Sequence, residues 1–321
     1  MIRTRTSFFD YDQSMRKLVK AVVAVLLAAS ALSGCAFSDP RIEGLPPAGS
    51  STAASFTGEA DDVHAAWEAV SGLAGLDPDN QQFKDMSATL ASQWLVLTGP
   101  DPYHRLSAVG ADIGTPSPIS DLGEGTASAD TALTSARDNA LSQANASTGL
   151  ETAFWAGLAA GLEQVRLGLT GTYGAAIPPD PTVTITMLDE PTALSDLISR
   201  YDEGIFAMRS AMGFLDPADP DQSSFQTVLS SLRTDRANLA GLAASAEATP
   251  TSQGIYELPP GRDHAAAMVL LAATQKALTQ ASVAWAACAS DPTQATPYVM
   301  SNATLAMGYG LGTAAWPGWP D

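Results

Sequence analysis

Cysteine is nearly missing from this chain: Cys35 and Cys288 are the only two among 321 residues. A disulfide framework is therefore excluded, and so is a cysteine-rich metal ribbon. Histidine is almost as scarce. His64, His104 and His264 stand far apart, with no zinc-type spacing and no His/Cys cluster. No Gly-rich phosphate loop or nucleophile elbow occurs; Gly308-Tyr309-Gly310-Leu311-Gly312 suits close helix packing better than a nucleotide. Basic residues are few, 16 against 34 acidic ones. A surface that acidic repels phosphate backbones and excludes nucleic acid as a partner. Long apolar runs are lacking too. The longest, Ala21 to Leu32, covers about a dozen residues, against the ~20 a membrane span requires.

That short run is informative for what surrounds it. Met15-Arg16-Lys17 and Lys20 precede it, and Leu32-Ser33-Gly34-Cys35 follows, the charge and hydropathy order of a secretory signal. Small residues directly before a cysteine make the segment resemble a bacterial lipoprotein signal, in which Cys35 is lipidated and becomes the new N-terminus. Residues 1–34 are then removed, and Met15 is the expected true start, because a start at Met1 would place Asp10 and Asp12 in the basic region. Of the 16 basic and 34 acidic residues, five basic (Arg3, Arg5, Arg16, Lys17, Lys20) and two acidic (Asp10, Asp12) precede Cys35. The mature chain keeps 11 against 32, a net charge of −21. Charge cannot hold such a chain to anionic headgroups. Two or three acyl chains can, since each buried CH₂ contributes ~0.8 kcal/mol. With Cys35 committed to a thioether, Cys288 is left alone and reads as a small apolar residue near a helix end.

Past Cys35, residues 35–57 carry Pro40, Pro46, Pro47 and Gly49 without periodicity and read as a flexible tether. Residues 58–170 form an N-terminal helical domain. Its stripes are Val63, Trp67, Val70, Leu73; then Phe83, Met86, Leu90, Trp94, Leu97; then Leu133, Ala136, Ala140, Leu141 from about Ala127; then Leu150, Phe154, Leu158, Leu162, Val165, Leu169. Residues 99–126 make a long Gly/Pro/Asp/Ser-rich connection, read as plain rather than as a functional flap. Residues 171–190 are a Pro-rich linker and domain boundary, including an extended Thr182–Thr186.

Residues 191–321 are again helical, after Asp189-Glu190-Pro191. The first helix places Leu194, Leu197, Ile198, Tyr201, Ile205, Met208 and Met212 on one face. The second has Phe225, Val228, Leu229, Leu232, Leu239 and Leu242, with Arg233, Asp235 and Arg236 outward. The third has Met268, Leu271, Gln275, Leu278 and Trp285, and a fourth runs to about Ala315. Short Asp/Pro corners favour an up-down-up-down order. Each half has four helices, and the two could fuse into one larger bundle. The closing Trp316-Pro317-Gly318-Trp319-Pro320 reads as a plug over the bundle end rather than a docking tail, since leaving each Trp in water costs ~2–3 kcal/mol.

Residues 192–319 resemble the ferritin-like domain of unknown function found in actinobacterial lipoproteins. The likeness rests on the helix Ala193–Leu215, on Tyr256-Glu257-Leu258-Pro259 before the third helix, and on the Trp-Pro-Gly-Trp-Pro ending. Thr131 to Leu169 is similar to the helical region such proteins carry ahead of that domain. The resemblance implies an all-α fold whose second half is a ferritin-like four-helix bundle, a lipid anchor and an actinobacterial envelope, but no activity. Members often carry a Glu-His pair where this chain has Asp202-Glu203.

A di-metal centre in such a bundle needs carboxylates from two helices and Glu-x-x-His from the other two. Here Asp202, Glu203 and Asp235 are weak candidate ligands. The third helix offers Asp263 and His264 only at its mouth, and Pro297 to Ala315 contains no Asp, Glu or His. The sequence therefore points to no metal, no cofactor and no catalytic residue. The expectation is a non-enzymatic lipoprotein on the extracytoplasmic face of the cell membrane, acting as an interaction or binding module with an envelope partner. A metal-dependent ferritin-like oxidase or metal store, and a small-ligand carrier with its pocket between the halves or inside an Ala-rich bundle, are the alternatives.

Overall fold

Acidic and amide caps set the helix starts. In the computed structural model, which describes residues 56–99, 113–171, 173, 185, 187–249, 258, 261–307 and 314–319, four helices begin with a side chain accepting a backbone N–H three residues on. They are α2 (Gln81–Leu97, capped by Asn80), α3 (Leu122–Ala146, Asp121), α5 (Glu190–Phe214, Asp189) and α7 (His264–Ala286, Asp263). The others are α1 (Thr57–Leu76), α4 (Leu150–Gly168), α6 (Asp221–Ser245) and α8 (Pro292–Met307). Among the described residues there is no strand, so the all-α expectation is met. The signal, Cys35 and the tether to residue 55 lie outside the described residues, as do 100–112 and most of the 171–190 linker.

Side-chain contacts between helix ends give the connectivity. In the first half, Gln143 near the end of α3 donates to Glu59 at the start of α1, and Gln82 at the start of α2 donates to the carbonyl of Gly168 at the end of α4. With tight corners at Asp77–Asn80 and at 147–149, α1 and α2 run antiparallel, as do α3 and α4, and α2 runs parallel to α3. In the second half, His264 at the start of α7 meets Asp221 at the start of α6, while Trp285 near the end of α7 reaches Glu190 at the start of α5. The order is the same again. Each half is up-down, a long crossover, then down-up, rather than the up-down-up-down arrangement that the short corners suggest. The crossovers are residues 98–121 and 246–263.

Residues 113–121 of the first crossover pack on α1 and α3. His64 on α1 donates from Nε2 to the Ile113 carbonyl at 3.0 Å, and Ile119 packs over Gly125 and Leu73. Helix α3 accordingly starts at Leu122, five residues before the expected point. The Asp121…Glu124 cap signal was there, but Gly123 and Gly125 look like breakers. Gly125 is instead required by the close approach of Ile119.

The two halves share one hydrophobic core within a unit spanning Ile42–Asp321. Helix α4 sits at its centre and packs on α2, α3, α7 and α8. The expected stripe along Phe154, Leu158, Leu162 and Val165 is buried, and so is a second face of Ala153, Ala156, Ala160 and Gln164. A helix buried on more than one face belongs inside a larger assembly, not at the edge of a separate domain. Between α3 and α4, Arg137 and Arg166 pair with Glu163 at 2.7 and 2.8 Å. Burial alone would raise the Glu163 carboxyl; the two guanidiniums hold it below the usual range.

The C-terminal tryptophans complete this core as a wedge between helices. Trp316 and Trp319 are buried, and Trp316 stacks on Phe154 with ring centroids 5.5 Å apart. The segment lies between α2 and α4. Gln93 on α2 donates to the Ala315 carbonyl at 2.8 Å, and a Cβ on Gly161 of α4 would sit 2.5 Å from that oxygen. Gly318 turns the chain with φ +81°, and a side chain there would strike Val283 and the Thr279 carbonyl of α7.

Candidate functional site

The centre of the second bundle is polar but neutral. Gln275 Nε2 donates to the backbone oxygen and to Oδ1 of Asn302, at 3.0 and 3.1 Å. Asn302 Nδ2 donates to Ser282 Oγ at 2.7 Å and to the Tyr201 hydroxyl at 3.1 Å. All four residues are buried, and they come from α5, α7 and α8. Burial first, then the negative field of Asp235, raises the Tyr201 phenol far above its ordinary value, so it stays protonated. The network satisfies itself and offers no carboxylate or imidazole to a metal. Asn302 also heads a glycosylation triplet, but its burial removes it from any modifying enzyme.

The three weak metal candidates do not converge. Asp202 is bound by Arg236 from α6 at 3.0 and 3.3 Å, and Glu203 by Arg200 one turn away at 3.0 Å. Asp235 is not outward, as its place in the sequence pattern suggests. It lies half-buried in a concavity of about 570 Å³ between α6 and α8, lined also by Ser231, Leu242, Thr293, Gln294, Pro297, Tyr298 and Ser301. Burial raises its carboxyl above the usual range against the opposing hydrogen bond with Ser231, and no Lys or Arg of the described residues pairs with it. Tyr298 packs edge-on to Tyr201 and against Trp285; burial and the charge of Asp235 raise its phenol as well. Gln294 is engaged by Asp291, which caps the start of α8.

Pattern reading missed this groove because it needs two helices at once. Its signal was a lone acid, Asp235, between the core positions Leu232 and Leu239. Of the four contacts that close a four-helix bundle, α5 with α6, α5 with α7 and α7 with α8 are made, and α6 with α8 is open.

Among the described residues one group gathers three metal-capable side chains: Asp219, Asp221 and His264, with ligand atoms within 4.8 Å of one another. Each already has a structural task. Asp219 accepts the Asp221 backbone N–H at 2.9 Å, and Asp221 accepts from His264 Nε2 at 3.0 Å. The cluster staples the starts of α6 and α7. The hydrogen bond that His264 donates to Asp221 raises its pKa above 6.5, against desolvation. A raised folded-state value means the pair stabilises fully below the unfolded pKa and its contribution fades as pH rises through the folded one. Thermal melts of the wild type and His264→Gln are therefore expected to differ most below about pH 6.5, the free imidazole value, and to converge as pH rises past it. A gap that widens with pH would refute the staple.

His64 lies between Trp67 and Trp94 and is committed to Ile113; His104 and Gly308–Gly312 are outside the described residues. Cys288 is half-buried at the end of α7, where its Sγ lies 3.4 Å from the Ala284 and Trp285 carbonyls. Burial, with Glu190 and Asp189 nearby, pushes its thiol up to about 12, so it is not a nucleophile near neutral pH. No family model, curated protein or solved structure matches the chain.

Proposed function

We propose that this is a non-enzymatic envelope lipoprotein, anchored through acyl chains on Cys35 at the extracytoplasmic face of the membrane, whose helical unit is a binding module. The observation that carries the reading is the closed, neutral Tyr201–Asn302–Gln275–Ser282 network beside an open α6/α8 groove. The bundle centre is spent on holding itself together, and recognition is left to the surface. The second half is of the ferritin-like kind: one long crossover joins two antiparallel pairs, and the first half has the same order. The separate positions of Asp202, Glu203 and Asp235 give no support to the oxidase or metal-store alternative. The ligand-carrier alternative gains from the groove, with its site at α6/α8, since the space between α2, α4 and α7 is filled by Trp316 and Trp319.

Cys35→Ala tests the anchor. Essentially all of the protein is expected to leave the membrane fraction or to accumulate as unprocessed precursor, and globomycin is expected to arrest processing of the wild type. Unchanged fractionation and electrophoretic mobility in both experiments would overturn the anchoring.

A further inference from the structure

Two equivalent seams in the molecule are treated differently. In the first bundle residues 315–319 are wedged between part of the second and fourth helices, α2 and α4, which also touch each other, and a buried amide, Gln93, donates to that segment's carbonyl. In the second bundle the matching helices, α6 and α8, flank a groove in which no other described segment lies. The groove has a volume within the roughly 300–1,000 Å³ of small-molecule sites. Its lining is mixed. Leu242, Pro297 and Tyr298 give apolar and aromatic surface, Ser231 and Ser301 give hydroxyls, and Asp235 is the one charged group.

From this lining we infer that the α6/α8 groove binds a small organic cation, a singly charged ammonium on an apolar body, with Asp235 as its counter-ion and Tyr298 as its aromatic wall. The inference deepens the binding-module reading and rests on it. Each element of the chemistry is matched. A half-buried carboxylate with no basic partner gains most from a ligand that brings the missing charge. An aromatic wall attracts a desolvating cation through its quadrupole. A divalent metal ion is a poor occupant, because it demands several oxygen ligands and the groove offers one carboxylate among apolar side chains. The chain's net charge of −18 draws cations toward the surface and repels anions. The raised carboxyl of Asp235 agrees with a group whose desolvation a bound cation would offset.

The test uses the full-length chain in detergent and two probes of one shape, 2-phenylethylammonium and neutral 2-phenylethanol, with binding read by calorimetry and ligand-observed NMR. The ammonium is expected to bind in the millimolar range or tighter, as suits about nine heavy atoms, and the alcohol at least tenfold more weakly. Asp235→Asn is expected to weaken the ammonium by about tenfold to a hundredfold, the worth of a charge-assisted hydrogen bond. Asp79→Asn, which removes an exposed carboxylate in the other half, is expected to change nothing. Circular dichroism melts check that both variants stay folded.

Equal binding of the two probes, or an Asp235→Asn protein that binds as well as the wild type, overturns the inference. So does equal weakening by Asp79→Asn, which marks diffuse charge attraction. Binding of a lysine-containing peptide with none of the free ammonium would replace the small cation with a polypeptide partner. Fractionation of the same chain separates the two readings. Membrane-bound protein that ignores the ammonium refutes the cation site alone, whereas ammonium binding by unanchored protein refutes the anchor alone.

Discussion

Trp316→Ala is expected to destabilise the fold by about 3–5 kcal/mol, the usual cost of emptying a fully buried Trp site. The indole is 1% exposed. It rests on Phe154 and covers Gly157, whose missing side chain leaves the room: a Cβ there would lie 3.2 Å from Trp316 Cδ1. Its neighbours come from helices fixed by other contacts, so the site can collapse only in part, and an unfilled cavity adds to the lost transfer energy. Against a total stability of ~5–15 kcal/mol this single change removes a large share. In a unit of this size the melting temperature should fall by about 10 °C.

Trp316→Phe separates packing from hydrogen bonding. The indole Nε1 has no hydrogen-bond partner among the described residues, so the change forfeits no hydrogen bond, and the variant should lose under about 2 kcal/mol. Urea denaturation followed by far-ultraviolet circular dichroism measures both. An Ala variant within about 1 kcal/mol of the wild type would mean that the terminal segment does not hold the two halves together.

Individual helices were readable because their apolar spacing and end signals agree. Val63, Val70 and Leu73, or Leu194, Leu197 and Tyr201, fall on buried faces where the 3.6-residue period puts them. Long-range relations were not. Periodicity finds one face of α4, but Ala153, Ala156 and Ala160 look like a neutral surface until another helix is laid on them. The same blindness hid helix direction. A short corner implies an antiparallel neighbour, yet across the longer connections α2 and α3, and α6 and α7, run parallel. The sequence pattern carries no burial signal for Gln93, Gln164 and Asn302, yet each is buried and donates to a backbone carbonyl or a side chain of another element. Asp235 was misplaced for a related reason, since a charged residue beside core positions is assigned to solvent unless the opposite helix is known. Gln93 and Asp235 lie at the seams between second and fourth helices, one closed by a tryptophan wedge and one left open.

Asn302→Ala should cost about 2–4 kcal/mol, although it removes only a small polar side chain. Tyr201, Gln275 and Ser282 all point at this amide. Gln275 keeps its bond to the Asn302 backbone, and Ser282 keeps its own to the Leu278 carbonyl at 2.8 Å. The Tyr201 hydroxyl keeps nothing, and a buried hydroxyl without a partner costs about 1–3 kcal/mol beyond the packing lost. Tyr201→Phe removes that orphan, so in the double variant the two penalties should overlap and sum to about 1 kcal/mol less than their separate values. Strict additivity in the double-mutant cycle would mean that amide and phenol do not share a bond. The expected coupling bears on function as well as stability. A bundle whose central polar positions depend on one another in this way cannot exchange them for metal ligands without unfolding energy of the same size. Under the proposed binding-module reading, recognition falls to side chains outside the network, and Asp235 is the one such carboxylate that lines the α6/α8 groove.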